Sequence, residues 1–246
     1  MSRFLLLYVT TDSGGIGTDP VTLTPTEHYK EDDWTAGPTW TDNVASTKTW
    51  DTSAGVITAG TQNSLTVYEG DGAAGTKLGT TSTPKAIQWL QTDDWITLYI
   101  VMKIQTSLNK YVLAFAGAVT RFFWLISDAD GKLAVSSRNN TGNTLSVLSG
   151  VINDNAFRVY AIRLKNVDGD GVLDVWVNST KLTGDTDAGY NSNEVGTGAQ
   201  NLYNNPGATA SADVSFGELI MFKAEHSDEV IGNVIDFLGD KWGITV

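Results

Sequence analysis

Between residues 214 and 244 the hydrophobic pattern changes from that of a strand to that of a helix, and this change constrains the fold more than any other feature of the chain. Over residues 214–222 bulky side chains crowd together with Glu218 as the only charge, as in a strand buried on at least one face. Ser227 then supplies an N-cap, and Asp228 and Glu229 put negative charge in the first turn, where free N–H groups and the helix dipole favour it. Val230, Ile231, Val234, Phe237, Leu238 and Trp242 recur at spacings of three and four and form one apolar stripe, while Asn233, Asp236 and Asp240 fall on the polar side. Lys241 closes the last turn, Gly243 is a stop signal, and Ile244 and Val246 return the chain to apolar surface.

Everything upstream reads as β-structure. Residues 64–69 alternate, and Gly70-Asp71-Gly72 turns them. Residues 95–103 are an almost continuous β-prone run, expected to be covered on both faces. Residues 110–115, 121–126 and 132–138 follow as a meander. Residues 157–164 and 172–178 flank Asn166-Val167-Asp168-Gly169-Asp170-Gly171, which predicts a hairpin. Short strands joined by turn clusters imply a sandwich, with the helix over one edge or corner. Trp34, Trp40 and Trp50 are expected to plug its end in preference to standing as exposed ligand platforms, and residues 183–212 read as a long polar loop. Residues 1–30 are expected to form an N-terminal strand or docking arm and a loop, and residues 31–246 the domain. The apolar run at residues 4–9 is too short for the core of a signal peptide, and no later run approaches the roughly 20 apolar residues of a membrane-spanning helix.

The strand Phe216-Gly217-Glu218-Leu219-Ile220, the acidic cap and the ending Phe237-Leu238-Gly239-Asp240-Lys241-Trp242-Gly243-Ile244 together resemble the C-terminal signature of concanavalin A-like, laminin-G-like jelly rolls. The resemblance implies an all-β, two-sheet concanavalin A-like jelly-roll sandwich with one C-terminal α-helix. Such domains occur in bacteriophage virion proteins, in adhesins and beside glycan-active enzymes. The function it implies is that of a non-enzymatic virion structural protein, a head decoration or tail-associated adhesin assembled in the host cytoplasm. Its partners would be other virion proteins, copies of itself and a cell-surface glycan. A free-standing carbohydrate-binding module is the alternative, followed by a polysaccharide lyase or glycoside hydrolase.

A formal charge of −12 argues against nucleic acid and anionic membranes as partners, because clustered Lys and Arg drive those associations. With no cysteine there is neither a disulfide framework nor a thiolate metal or nucleophile site. The Glu-x-Asp-x-x-Glu string that jelly-roll glucanases carry is absent, although Asp93, Asp94, Asp128 and Asp130 remain candidates to converge in space. His28 and His226 read as surface or capping residues. Asn166-x-Asp168-x-Asp170-Gly171 copies the opening of an EF-hand loop, but Val177 stands where the bidentate carboxylate belongs, so a hairpin turn is preferred to calcium and no cofactor is expected. The candidate glycan site is on the last strand of that hairpin. Alternation puts Trp176, Asp174 and Asn178 on one face and Leu173, Val175 and Val177 on the other. If Tyr160 faces the same way on the neighbouring strand, they would form a shallow aromatic platform edged by polar groups; the competing reading is a Trp176 indole packed beneath the long loop at residues 183–212.

Overall fold

The computed structural model describes residues 17–35, 39–44, 49–54, 56–73, 77–80, 94–105, 109–116, 121–138, 144–167, 170–188, 190, 200–202 and 212–246. Among the described residues, two antiparallel sheets of nine strands each build the molecule. With strands numbered in chain order, sheet I runs β15 (Thr180–Lys181), β14 (Asp170–Val177), β13 (Phe157–Val167), β8 (Trp95–Ile104), β18 (Val214–Phe222), β6 (Leu65–Gly70), β5 (Ile57–Gln62). Off this path, β1 (Glu27–Tyr29) pairs with β18, and β16 (Asp185–Asp187) with β14. Sheet II runs β12 (Thr144–Val151), β11 (Lys132–Arg138), β10 (Arg121–Ser127), β9 (Lys110–Ala116), β17 (Gln200–Leu202), β7 (Lys77–Thr80), β4 (Thr49–Ala54), β3 (Thr39–Thr41), β2 (Trp34–Thr35). Among the described residues a single α-helix, α1 (Asp228–Trp242), forms where the periodicity predicts it, with the Ser227 hydroxyl accepting from the Val230 N–H and Gly243 at φ 63° as its stop.

Period-two alternation divides the apolar residues of sheet I between two cores. Ile96, Leu98, Ile100 and Met102 of β8, with Tyr160, Ile162, Leu173 and Val175, point between the sheets into the main core. Tyr99 and Val101 of the same strand, with Val159, Ala161, Trp176, Ile220 and Phe222, point outward and pack under α1. The helix therefore covers a face of sheet I and not an edge or corner. That cover is why β8 and β18 carry apolar residues on both faces. Trp40 and Trp50 are buried in the main core, each beside Tyr29 at ring-centroid distances of 5.5 and 6.2 Å.

Helix and sheet are locked by one carboxylate. Glu218 is 1% exposed and lies on the outer face of β18. Its Oε1 accepts from His28 Nε2 at 2.6 Å, and its Oε2 accepts from Lys241 Nζ and from Trp242 Nε1, each at 2.8 Å. An ionised carboxylate only accepts, so this bond fixes the His28 tautomer with its proton on Nε2. Lys241 also reaches Glu31 at 3.0 Å. Burial alone would raise the Glu218 carboxyl, but the His28 bond and the Lys241 charge outweigh it and hold the pKa below the usual value. Beside it the strand bulges at Gly217, where a Cβ would lie 2.8 Å from the Trp242 ring, so only glycine admits the indole.

Two expectations change here. His28 is 3% exposed in β1 and His226 is 7% exposed before the helix, so neither is a surface residue. And β1 hydrogen-bonds to β18 while Thr18 N–H donates to Asn233 of the helix, so residues 17–30 belong to the sandwich and the boundary near residue 30 does not divide them from it. Residues 1–16, which include the apolar run read as an arm, lie outside the described residues.

Replacing Glu218 by Ala leaves Lys241, His28 and the Trp242 N–H buried around a missing acceptor. The expected loss is about 3–5 kcal/mol of unfolding free energy in urea titrations, the usual cost of breaking a buried pair from one side.

Candidate functional site

The strand that carries the predicted platform has the predicted alternation, but both of its aromatic residues are covered. Trp176 is 4% exposed and packs under α1. Tyr160 is fully buried in the main core, on the opposite face of the sheet: it pairs across the hairpin with Val177, whereas Trp176 pairs with Ala161. The two rings cannot form one surface. The Tyr160 hydroxyl has no hydrogen-bond partner among the described residues, and burial pushes its phenol well above the ordinary value.

Asp174 is likewise committed. It is 9% exposed, and its Oδ2 accepts from Arg163 Nε at 3.1 Å and Nη2 at 2.6 Å. Arg163 Nη1 donates to the His226 carbonyl, and Nη2 lies 3.0 Å from Asp228 at the start of the helix. Lys181 pairs with the same Asp228 at 2.9 Å and sits 4.7 Å from the centre of the Trp176 ring. The Arg163 guanidinium lies 5.2 Å from that ring. Cations and carboxylates alternate over the indole, so this array clamps the first turn of α1 to sheet I. The Lys181 hydrogen bond, helped by Arg163, lowers the Asp228 pKa. Within the clamp His226 shares a 2.7 Å bond with the Tyr99 hydroxyl, and burial pushes its imidazole down to about 4.

Asn178 has a different place. It follows β14 with φ 53°, a left-handed conformation that Asn tolerates better than most residues. Its Oδ1 accepts from Val159 N–H at 3.0 Å and its Nδ2 donates to the Thr245 carbonyl at 3.1 Å, tying the hairpin to the chain end. There it helps line a pocket of about 300 Å3, together with Gln62, Phe157, Arg158 and residues 243–245, with Ala156 also in the lining. Gln62 Nε2 donates to the Trp242 carbonyl at 3.0 Å, which leaves its second N–H and its carbonyl oxygen for other partners. Arg158 grips Asp154 through Nη1 at 2.7 Å and Nη2 at 2.6 Å, and that grip holds the Asp154 carboxyl down to about 2. The described residues lining the pocket include no carboxylate, imidazole or thiol, so the lining can bind but has no acid–base pair of its own.

Of the four predicted residues, then, Asn178 lines a pocket, Trp176 and Asp174 belong to the helix clamp, and Tyr160 to the core. Reasoning from the sequence missed Gln62, Phe157 and Arg158. Arg158 carried a signal, since an arginine four residues after Asp154 in a turn is placed to pair with it. The EF-hand-like segment offers Asp170 to Lys165 as an ion pair, while Asp168 lies outside the described residues. Asp128 accepts from the N–H groups of Asp130 and Lys132 in a turn, and Asp93 lies outside the described residues. Among the described residues no group of three or more His, Cys, Asp or Glu is placed to hold a metal ion.

No protein-family model matches the sequence, and no curated protein does. Solved structures match its fold. The binding domain of Paraclostridial Mosquitocidal Protein 1 superposes with a TM-score of 0.67 at 8% identity, over 89% of this chain and 55% of that one. A botulinum neurotoxin type C structure, of a toxin whose cell entry depends on interaction with two ganglioside molecules, gives 0.62 at 9% identity over 89% and 52%. Trypanosoma rangeli sialidase in complex with a difluorinated keto-deoxy-nononic acid gives 0.64 at 13% identity over 98% and 37%. The chain thus spans about half the length of the toxin chains and just over a third of the sialidase. Identities this low establish the β-sandwich fold and nothing finer.

Two outcomes follow from the clamp. Trp176→Ala opens a void under the helix and is expected to cost about 3–5 kcal/mol in chemical denaturation, a stability defect where an exposed platform residue would show none. His226, depressed by burial, keeps its full contribution above the unfolded value near 6.5 and loses it as pH falls toward about 4, because only the unfolded chain takes up the proton in that window. Stability measured between pH 7 and 4 should therefore fall, and less steeply in His226→Gln.

Proposed function

We propose that this chain is a non-catalytic, lectin-like binding module that receives the end of a surface glycan in the pocket beside Asn178. The observation that carries the reading is the lining itself. The lining brings together Gln62 and Asn178, which carry side-chain amides, the aromatic Phe157, Arg158 with its guanidinium, and residues 243–245. Glycan recognition needs that combination, an apolar patch for a sugar ring with directed donors and acceptors for its hydroxyls. Hydrolysis needs more, commonly two carboxyl groups about 5–9.5 Å apart across the bond to be broken, and the described lining offers none. The toxin domains of the same fold support a binding role, one by its description as a binding domain and the other by its toxin's dependence on gangliosides.

The setting we propose is a bacteriophage virion, with the module as a head decoration or tail-associated adhesin alongside other virion proteins and further copies of itself. Its support is the resemblance of the strand, cap and helix at residues 214–244 to concanavalin A-like virion domains. Its test is association of the chain with purified capsids or tails.

The binding reading is tested by plugging the pocket. Ala156 is exposed at the pocket, so Ala156→Trp should fold with an unchanged melting temperature and lose the glycan-array signal of the parent protein. A full-strength signal in this variant would place glycan binding elsewhere on the sandwich.

A further inference from the structure

We propose that the pocket selects an uncharged terminal sugar residue, and that Asp154 is the specificity-determining residue that keeps carboxylated and sulfated sugars out. This inference rests on the glycan-binding reading of the same pocket and adds the chemical class of its ligand.

Arg158 is the only formally charged side chain in the described lining. A guanidinium there would ordinarily be a carboxylate or sulfate receptor, since its fork of N–H donors fits such groups with two parallel bonds. In this fold the fork is already occupied. Asp154 Oδ1 and Oδ2 take Nη1 and Nη2 at 2.7 and 2.6 Å, and the Ile152 and Ala156 carbonyls each lie 3.3 Å from Nη1. Asp154 lies in the loop that leads into β13, and its Oδ1 also accepts from the Ala156 N–H at 3.2 Å, so the loop itself holds the carboxylate against the guanidinium. With the acid held down to about 2, the pair stays internally neutral at every physiological pH.

The neighbouring charges point the same way. Lys103 stands 5.2 Å from the centre of the Phe157 ring, and Glu69 lies 3.6 Å from its ammonium. The whole chain carries −12. An anionic sugar would meet no unpaired cation in the lining, would bring its charge beside Asp154, and would approach a negatively charged protein. What the pocket still offers is suited to hydroxyls, which donate and accept at once. The second N–H of each side-chain amide and the spare lone pairs of their oxygens remain. At about 300 Å3 the pocket is at the small end of the ~300–1,000 Å3 range of ligand sites, which suits one terminal ring better than a run of them.

The test uses matched pairs of sugars that differ only in charge, methyl glucoside against methyl glucuronide and galactose against its 6-sulfate, titrated by calorimetry and printed on an array. The parent protein should bind the neutral member of at least one pair about tenfold tighter than the charged one. Asp154→Asn keeps the shape of the side chain and frees the Arg158 charge. It should narrow or reverse that ratio by about tenfold, and the Asp154→Asn, Arg158→Gln double variant should lose the gain, which separates a charge effect from a loosened loop. A parent protein that prefers the charged member, or an Asp154→Asn variant with an unchanged ratio, overturns this inference and leaves the binding pocket standing. A protein that binds the printed glycans equally well with Ala156→Trp in place overturns the pocket reading and this inference with it.

Discussion

A single buried carboxylate holds the outer layer of this protein together. Glu218 accepts one hydrogen bond from β1 and two from the last turn of α1, so three segments far apart in sequence meet at two oxygen atoms. Taking a carboxylate out of water is costly, and it is tolerated here because both oxygens are paired and a lysine supplies the opposite charge. The consequence extends beyond stability. Trp242, pinned by its indole N–H, fixes where the chain leaves the helix, and residues 243–245 then become one wall of the pocket. The run of residues from Phe216 to Ile244 that resembles jelly-roll domains thus contains a physical lock, with glutamate, lysine and tryptophan each contributing atoms and Gly217 yielding space for the ring.

The other end of the helix is held by charge over an aromatic surface. Arg163 and Lys181 bridge Asp174 on the sheet to Asp228 on the helix, with Trp176 beneath them. A helix N-terminus favours negative charge, and Asp228 supplies it while also anchoring two cations. The two clamps differ in wetness. Asp228 is largely exposed and its pairs are screened by solvent, whereas Glu218 is sealed. Sheet I is left with one face committed to the main core and much of the other to the helix, and the proposed pocket lies at the end of the sheet instead of on its face.

That displacement explains which parts of the site the sequence could reveal. Alternation in β14 identified correctly that Asp174 and Trp176 share a face opposite Leu173 and Val175, because side-chain direction in a strand is a local property. Which face Tyr160 takes was not legible, because its direction relative to Trp176 depends on the hairpin register; the observed pairing of Tyr160 with Val177 puts one residue of offset between them, and the two rings face opposite ways. Asn178 was legible as a polar residue at a strand end, but its companions Gln62, Phe157 and Arg158 were not, since they come from other strands and only the packed chain brings them within reach.

By itself the sequence determined the element types: strands upstream, a capped amphipathic helix from Ser227 to Gly243, and the division of each strand into two faces. These follow from periods of 2 and 3.6 and from terminal capping, all of which act over a few residues. Only the tertiary structure decided what covers those faces. Whether Trp176 is a platform or a buried indole depends on a helix that begins more than fifty residues later. Whether Arg158 is an anion receptor or a neutralised wall depends on how the preceding loop presents Asp154. Coverage and charge pairing are properties of the folded surface, and no periodicity along the chain encodes them.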